Sequence, residues 1–231
     1  MKTIGMLGGM SWESSAVYYR ILNREVQARL GGIHSAKTLM HSCDFAEMAA
    51  LQKEGRWAEA HDRMATIAVH LARAGADFLI ICCNTMHTAA AELERAAGIP
   101  LLHIADPLGE AIAKAGVKKP ALLGSSHTME RDDILRGRLG KRFGIDVIVP
   151  EDADAAETSR VIYEELTRGE FRDASRARYR DIIGRLVGRG ADGVILGCTE
   201  LPLLVQPEDA SVPLFDTTTL HALAAVDRAL G

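Results

Sequence analysis

Residues 75–85 read Gly75-Ala-Asp-Phe-Leu-Ile-Ile-Cys-Cys-Asn-Thr85, and residues 190–200 read Gly190-Ala-Asp-Gly-Val-Ile-Leu-Gly-Cys-Thr-Glu200. At a constant offset of 115 residues, Gly75, Ala76, Asp77, Ile80 and Cys83 align with Gly190, Ala191, Asp192, Ile195 and Cys198. Each copy has a helix stop, a short apolar run and then a polar turn. That is the pattern of a strand buried in a parallel sheet. Open α/β sheets place their ligand sites beyond the carboxyl ends of such strands, and each copy sets a cysteine there.

The repeat extends outward from this pair. Residues 4–7 form a strand-like run ending in Gly8-Gly9, and Ala121-Leu-Leu-Gly124-Ser-Ser matches it in the second half. Ser11 opens a helix with Val17, Tyr18, Ile21 and Leu22 at helical spacing. Strands are expected at 38–45, 100–104 and 145–149. Helices are expected at 57–74, 89–97, 107–115, 171–189 and 218–230. The run 151–156 reads as an acidic, solvated loop. A period near 115 is too long for a solenoid and marks a duplicated β/α domain. Strands alternating with helices predict an α/β fold: two pseudo-symmetric Rossmann-like domains with parallel sheets. Related by a twofold, their strand ends would bring Cys83 and Cys198 to one cleft, the expected active site.

Composition narrows the function classes. With 48% apolar and 25% charged residues the chain is of ordinary globular type. A net charge of −4 and no long basic stripe argue against nucleic acid. No apolar stretch reaches the roughly 18 residues of a membrane span, and the first residues lack the parts of a signal peptide, so a cytoplasmic protein is expected. The four cysteines, Cys43, Cys82, Cys83 and Cys198, read as thiols. None has CxxC spacing and no histidine cluster has zinc-ligand spacing, so no metal is expected. Gly5-Met-Leu-Gly8-Gly9 is not a dinucleotide fingerprint; its glycines are expected to let the backbone approach a substrate.

A helix is expected close after each cysteine, at Thr85 and at Leu201-Pro202, where the helix dipole would favour the thiolate. Asn84, Thr85 and Thr199 add polar donors. Cys43 and Cys82 read as packing residues, with Cys82 on the opposite sheet face from Cys83. Trp12 and Trp57 also read as packing residues. His87 is placed either at the site or on a helix surface, and His103 in the interior. Two thiols around one anion suit two-base chemistry, in which one removes a proton from carbon and the other returns one to the opposite face. No lysine lies in a pyridoxal-phosphate context.

Gly8-Gly9-Met10-Ser11, Cys83-Asn84-Thr85 and Gly197-Cys198-Thr199-Glu200 resemble the motifs of the aspartate/glutamate racemase superfamily, over essentially the whole chain. The closest likeness is to the branch that opens on Gly-Gly-Met-Ser-Trp-Glu-Ser, here Gly8 to Ser14. The resemblance implies a cofactor-independent amino-acid racemase, without pyridoxal phosphate and usually a homodimer, with Cys83 and Cys198 as its two bases. It implies that Asn84, Thr85, Thr199 and Glu200 line the substrate amine and carboxylate, with backbone contact from Met10, Ser125 in the symmetric loop, and Gln52 over the substrate side chain. It also implies that the halves exchange their last segments: residues 1–98 plus 210–231 would form one domain and 99–209 the other. Gln52 offers hydrogen bonding without charge, and Tyr163-Glu164-Glu165-Leu166 is acidic. The substrate therefore stays open between aspartate and/or glutamate and a broader set of amino acids. A maleate-isomerase-like or hydantoin-racemase-like enzyme, and a non-catalytic small-anion binding protein, are the remaining alternatives.

Overall fold

The computed structural model describes residues 1–231. The chain divides into two compact units, Met1–Ile104 with His221–Gly231, and Ala105–Leu220. The crossings thus fall at 104/105 and 220/221, where the family resemblance implied 98/99 and 209/210.

The first unit contains β1 (Ile4–Gly8), α1 (Trp12–Leu30), β2 (Thr38–Ser42), α2 (Phe45–Lys53), α3 (Trp57–Arg73), β3 (Phe78–Ile81), a 3-10 stretch (Thr85–Ala89) and α4 (Ala90–Ala97). Its sheet is parallel in the order β2-β1-β3. Segment 100–104 contributes a single bridge, Leu101 to Leu79, rather than a full strand. Alternation along the strands divides the core. Leu7, Leu79 and Ile81 face one way, onto Met48 and Leu51 of α2 and Ala60, Met64, Ala68 and Leu71 of α3. Ile4, Met6, Phe78, Ile80 and Cys82 face the other, onto Tyr18, Leu22 and Val26 of α1 and onto Ala222, Ala225, Val226 and Ala229 of the closing helix. Cys82 therefore lies on the opposite face from Cys83, which packs with the first cluster. Ser11 caps α1, and Gly98 in the left-handed conformation ends α4. Trp57 packs against the core, but Trp12, at the first position of α1, is 63% exposed and lies outside the core. The inward face of that helix starts only at Ser14, Ser15 and Tyr18.

The second unit contains α5 (Ala105–Lys114), β4 (Pro120–Leu123), α6 (Ser126–Glu130), α7 (Arg136–Phe143), α8 (Asp152–Glu164), a 3-10 turn (Leu166–Arg168), α9 (Asp173–Gly188), β5 (Gly193–Leu196), α10 (Leu201–Leu204), a second 3-10 turn (Pro207–Asp209), β6 (Leu214–Asp216) and α11 (Thr217–Leu230). The last helix passes into the first unit after Leu220. The sheet is parallel, in the order β4-β5-β6. Segment 145–149 is again one bridge, Ile148 to Ala121, and Pro150, which lacks an N–H, ends it. Ala121, Leu123, Val194 and Leu196 pack on Val161 and Ile162 of α8 and on Tyr179, Ile182, Ile183 and Leu186 of α9.

Run 151–156 is not a loop. Glu151 caps α8, and Asp152 and Asp154 sit in its first turn, where the helix dipole favours carboxylates. Asp154 also accepts two hydrogen bonds from Arg185, at 2.7 and 2.8 Å.

The duplication is visible in the registers. Leu79 pairs with Leu101 in the first unit, and Val194 with Leu214 in the second. The carbonyl of Leu7 accepts from Cys82 N–H at 2.9 Å, and that of Leu123 from Gly197 N–H at 2.7 Å. Each sheet thus holds its cysteine turn at the carboxyl end of its middle strands. No helix is long and apolar enough to cross a membrane.

Candidate active site

The first turn begins as β3 ends. Cys83 is half-buried, while Asn84 and Thr85 are buried. Gln52, on α2, is buried and donates from Nε2 to the sulfur of Met86 at 3.2 Å, so it is joined to the turn that follows Cys83. Met10 is 4% exposed and sends its side chain into the cluster that Cys83 borders.

The loop glycines sit where the chain packs closely on itself. A Cβ on Gly9 would overlap the backbone of Cys43, and φ there is +89°. A Cβ on Gly8 would stand 2.6 Å from Ser15 Oγ, which accepts from Gly9 N–H at 2.8 Å. These glycines let the chain approach itself closely.

The helical segments that directly follow the two cysteines, Thr85–Ala89 and Leu201–Leu204, are short. Cys83 is followed by 3-10 geometry before α4, and Cys198 by the four-residue α10, whose first turn holds Pro202 as expected. A macrodipole builds over many aligned peptides, so neither turn supplies much of one.

His87 is only 2% exposed and lies under the turn, not on a helix surface. Its Nδ1 is 2.9 Å from the Cys83 carbonyl, and its Nε2 accepts from Ile104 N–H at 3.2 Å. Burial, and next His103 and His221, hold it well below the usual imidazole range. Sequence reasoning left His87 undecided. The signal was its spacing, since a residue four beyond Cys83 on a helical turn returns to the carbonyl of residue 83.

The second turn is built differently. The Cys198 thiol donates to Glu200 Oε2 at 3.0 Å, and Thr199 Oγ1 donates to the same oxygen at 2.8 Å. Glu200 is 3% exposed. A buried carboxylate that takes up a thiol hydrogen bond is placed to receive its proton. Ser125 is buried and caps α6 through Thr128 N–H at 3.4 Å, with Thr128 Oγ1 at 3.1 Å. Its loop abuts the second turn: a Cβ on Gly124 would lie 3.2 Å from the carbonyl of Gly197.

Glu165 is buried, and it accepts from Arg160 at 3.1 and 3.2 Å and from Ser175. The charge of Glu165 in this acidic stretch is therefore compensated locally. A cavity of about 720 Å³ lies within the second unit, among Ser126, Met129, Arg136, Ser159, Arg160 and Tyr163. Cys43 lines a cavity of about 410 Å³ in the first unit with Met48, Arg63 and Ile67, and burial pushes its thiol up. Burial also pushes the Cys82 thiol up, so neither is suited to supply a thiolate. No group of three or more His, Cys, Asp or Glu side chains is arranged to hold a metal ion.

The family described as Asp/Glu/Hydantoin racemase matches residues 7–225. A glutamate racemase from Pseudomonas paraeruginosa is 29% identical over 210 residues, covering 90% of this chain and 74% of that protein. The broad specificity amino-acid racemase RacX of Bacillus subtilis is 24% identical over 162 residues, 69% of this chain and 67% of that protein. Among solved structures, a candidate Asp/Glu racemase from Yersinia pestis is 48% identical with a TM-score of 0.93, covering 100% of both chains. An aspartate racemase homologue from Pyrococcus horikoshii is 31% identical with a TM-score of 0.85, again over 100% of both.

Proposed function

The chain belongs to the Asp/Glu/hydantoin racemase family, and from that premise we propose that it interconverts L- and D-aspartate and/or glutamate without a cofactor, with Cys83 and Cys198 as its two bases. The observation that supports this reading best is the equivalence of the two turns: in each unit a half-buried cysteine follows the same strand of the same parallel sheet. The hydrogen bond from Cys198 to buried Glu200 adds a proton acceptor at one of them.

In this mechanism one sulfur, as thiolate, takes the α-proton. The electron pair is left on the α-carbon next to the substrate carboxylate, and the second sulfur, as thiol, delivers a proton to the opposite face. The thiolate and thiol have then exchanged places, and proton exchange with solvent resets them. Asn84, Thr85, Thr199 and the loops of Met10 and Ser125 would bind the amine and carboxylate, and Gln52 the side chain. Stabilising the developing negative charge falls to fixed hydrogen-bond donors. The proposed enzyme is a cytoplasmic homodimer; sedimentation at enzyme concentration would check its mass.

Broad specificity is the second reading. It is favoured by Gln52, a neutral amide already engaged with Met86, where an acidic substrate would call for a cation.

The test is proton NMR of L- and D-amino acids in deuterated water without pyridoxal phosphate, with aspartate, glutamate and several non-acidic residues. Loss of the α-proton signal together with optical rotation is expected for the substrate, and loss of racemisation is expected in Cys83→Ser and Cys198→Ser. If no amino acid exchanges, the racemase reading is abandoned, and dicarboxylates, hydantoins and simple anion binding are tested instead.

A further inference from the structure

We propose that His87 is the positioning residue of Cys83, fixing the Cys83–Asn84 peptide through its Nδ1–H. The hydrogen-bond directions determine the tautomer. Ile104 N–H can only donate, so His87 Nε2 accepts, at 3.2 Å. The remaining ring proton is then on Nδ1, which donates to the Cys83 carbonyl at 2.9 Å. His221 is fixed in the same way. Its Nε2 stands 2.9 Å from the Leu102 carbonyl, which can only accept, so Nδ1 accepts from the Tyr18 hydroxyl at 2.9 Å. The ring centroids of His103 and His221 lie 4.7 and 5.6 Å from that of His87. His87 is thus clamped between segment 102–104 and the cysteine turn, and protonating Nε2 would set one N–H against another.

The consequence for Cys83 follows from peptide geometry. The carbonyl of residue 83 and the N–H of residue 84 share one plane and point in opposite directions. Pinning the carbonyl toward His87 turns the Asn84 N–H to the other side and fixes the backbone torsion from which Sγ projects. The second unit reaches the same result by other means: the Cys198 carbonyl accepts from the backbone N–H of Leu201 at 3.1 Å. The position equivalent to His87 is Pro202, which has no donor. The same carbonyl is held in both units, by main chain in one and by imidazole in the other. That recurrence gives the bond a role beyond filling space.

The proposal rests on Cys83 being a base, and two variants test it. In His87→Asn, Nδ2 replaces Nδ1 and still donates to the Cys83 carbonyl. In His87→Gln, Oε1 reaches the place of Nε2 and accepts from Ile104, leaving the Cys83 carbonyl without its donor. The Gln variant should lose roughly tenfold or more in kcat with KM little changed, because a small misplacement of a reacting group is costly. Its Cys83 alkylation by iodoacetamide, mapped by mass spectrometry, should shift by about threefold or more relative to Cys198. The Asn variant should stay near wild type in both. If the two variants behave alike, His87 only packs and the proposal fails. Imidazole nitrogen NMR of the unmodified protein gives a check that needs no variant: His87 must be the neutral Nδ1–H tautomer at neutral pH, and an Nε2–H or charged ring would overturn the proposal. Alkylation and tautomer need no substrate, so they decide the role of His87 even if the protein racemises no amino acid tested.

Discussion

At the scale of single residues the two cysteines differ in what holds them. Cys198 is joined through its side chain to Glu200, whereas Cys83 is held through its carbonyl by His87. Glu200→Gln keeps the shape but loses the charge and one acceptor oxygen. General acid–base partners contribute about 10²–10⁴-fold, so kcat should fall by about 10²-fold, and the alkylation rate of Cys198 should change while that of Cys83 does not. Equal change at both cysteines would show a general disturbance instead. Gln52→Arg should raise kcat/KM for acidic over neutral amino acids, because charge-assisted bonds are roughly twice as strong as neutral ones. Competition between aspartate and alanine in the exchange assay would measure it. The cysteine pair was legible in the sequence because the offset of 115 brought Cys83 and Cys198 into register. The partners of those cysteines were not. A thiol–carboxylate contact and an imidazole–carbonyl contact depend on the turn geometry, which residue types alone do not specify.

At the scale of elements, the strand ends are held by close backbone approach. A Cβ on Gly197 would stand 2.5 Å from Leu122 Cδ1 and 3.0 Å from the Leu123 carbonyl. The leucine tip can swing aside, but the carbonyl in the sheet cannot. Gly197→Ala should therefore cost about 1–3 kcal/mol and misplace the Cys198 turn. Gly184, inside α9, has nothing within 4 Å of such a Cβ, and Gly184→Ala should stabilise by about 0.5–1 kcal/mol. Urea unfolding of the two variants would give opposite shifts of midpoint. The central strands and the helices 57–74 and 171–189 were readable because their apolar residues are buried in regular patterns. Helix α8 was not: its first turns are acidic and its fully buried residues, Thr158, Val161 and Ile162, come only later. The outer segments 100–104 and 145–149 have strand-like sequences but each forms only one bridge.

At the scale of the molecule, the stability of the first unit depends on pH through its buried histidine cluster. His87 keeps a folded-state value well below the ordinary 6.5, because burial and the neighbouring His103 and His221 oppose its charge. A lowered imidazole value means that the unfolded chain takes up a proton first as the pH falls. The contribution of His87 is therefore fully present above about pH 6.5 and declines below it, by up to about 1.4 kcal/mol per pH unit until the folded ring also titrates. Urea midpoints measured from about pH 7.5 down to about pH 5 should fall more steeply for the wild type than for His87→Asn. Parallel curves would assign the acid sensitivity to other groups. The duplication and the parallel sheets could be read at this scale from periodicity. The crossing points could not, because apolar segments such as 99–102 and 212–215 suit either sheet equally well.

The passage of α11 into the first unit also sets an order of assembly during synthesis. Ala222, Ala225, Val226 and Ala229 share with α1 the covering of Ile4, Met6, Phe78 and Ile80, so the nascent sheet keeps part of one apolar face bare after its own strands have been translated. Residues 105–220 are made in the interval and can fold first. At about 5–20 residues per second the wait is roughly six to twenty-three seconds. During that time α1 is the only helix on that face, so the ribosome-bound chain carries an apolar sheet surface that the finished protein hides.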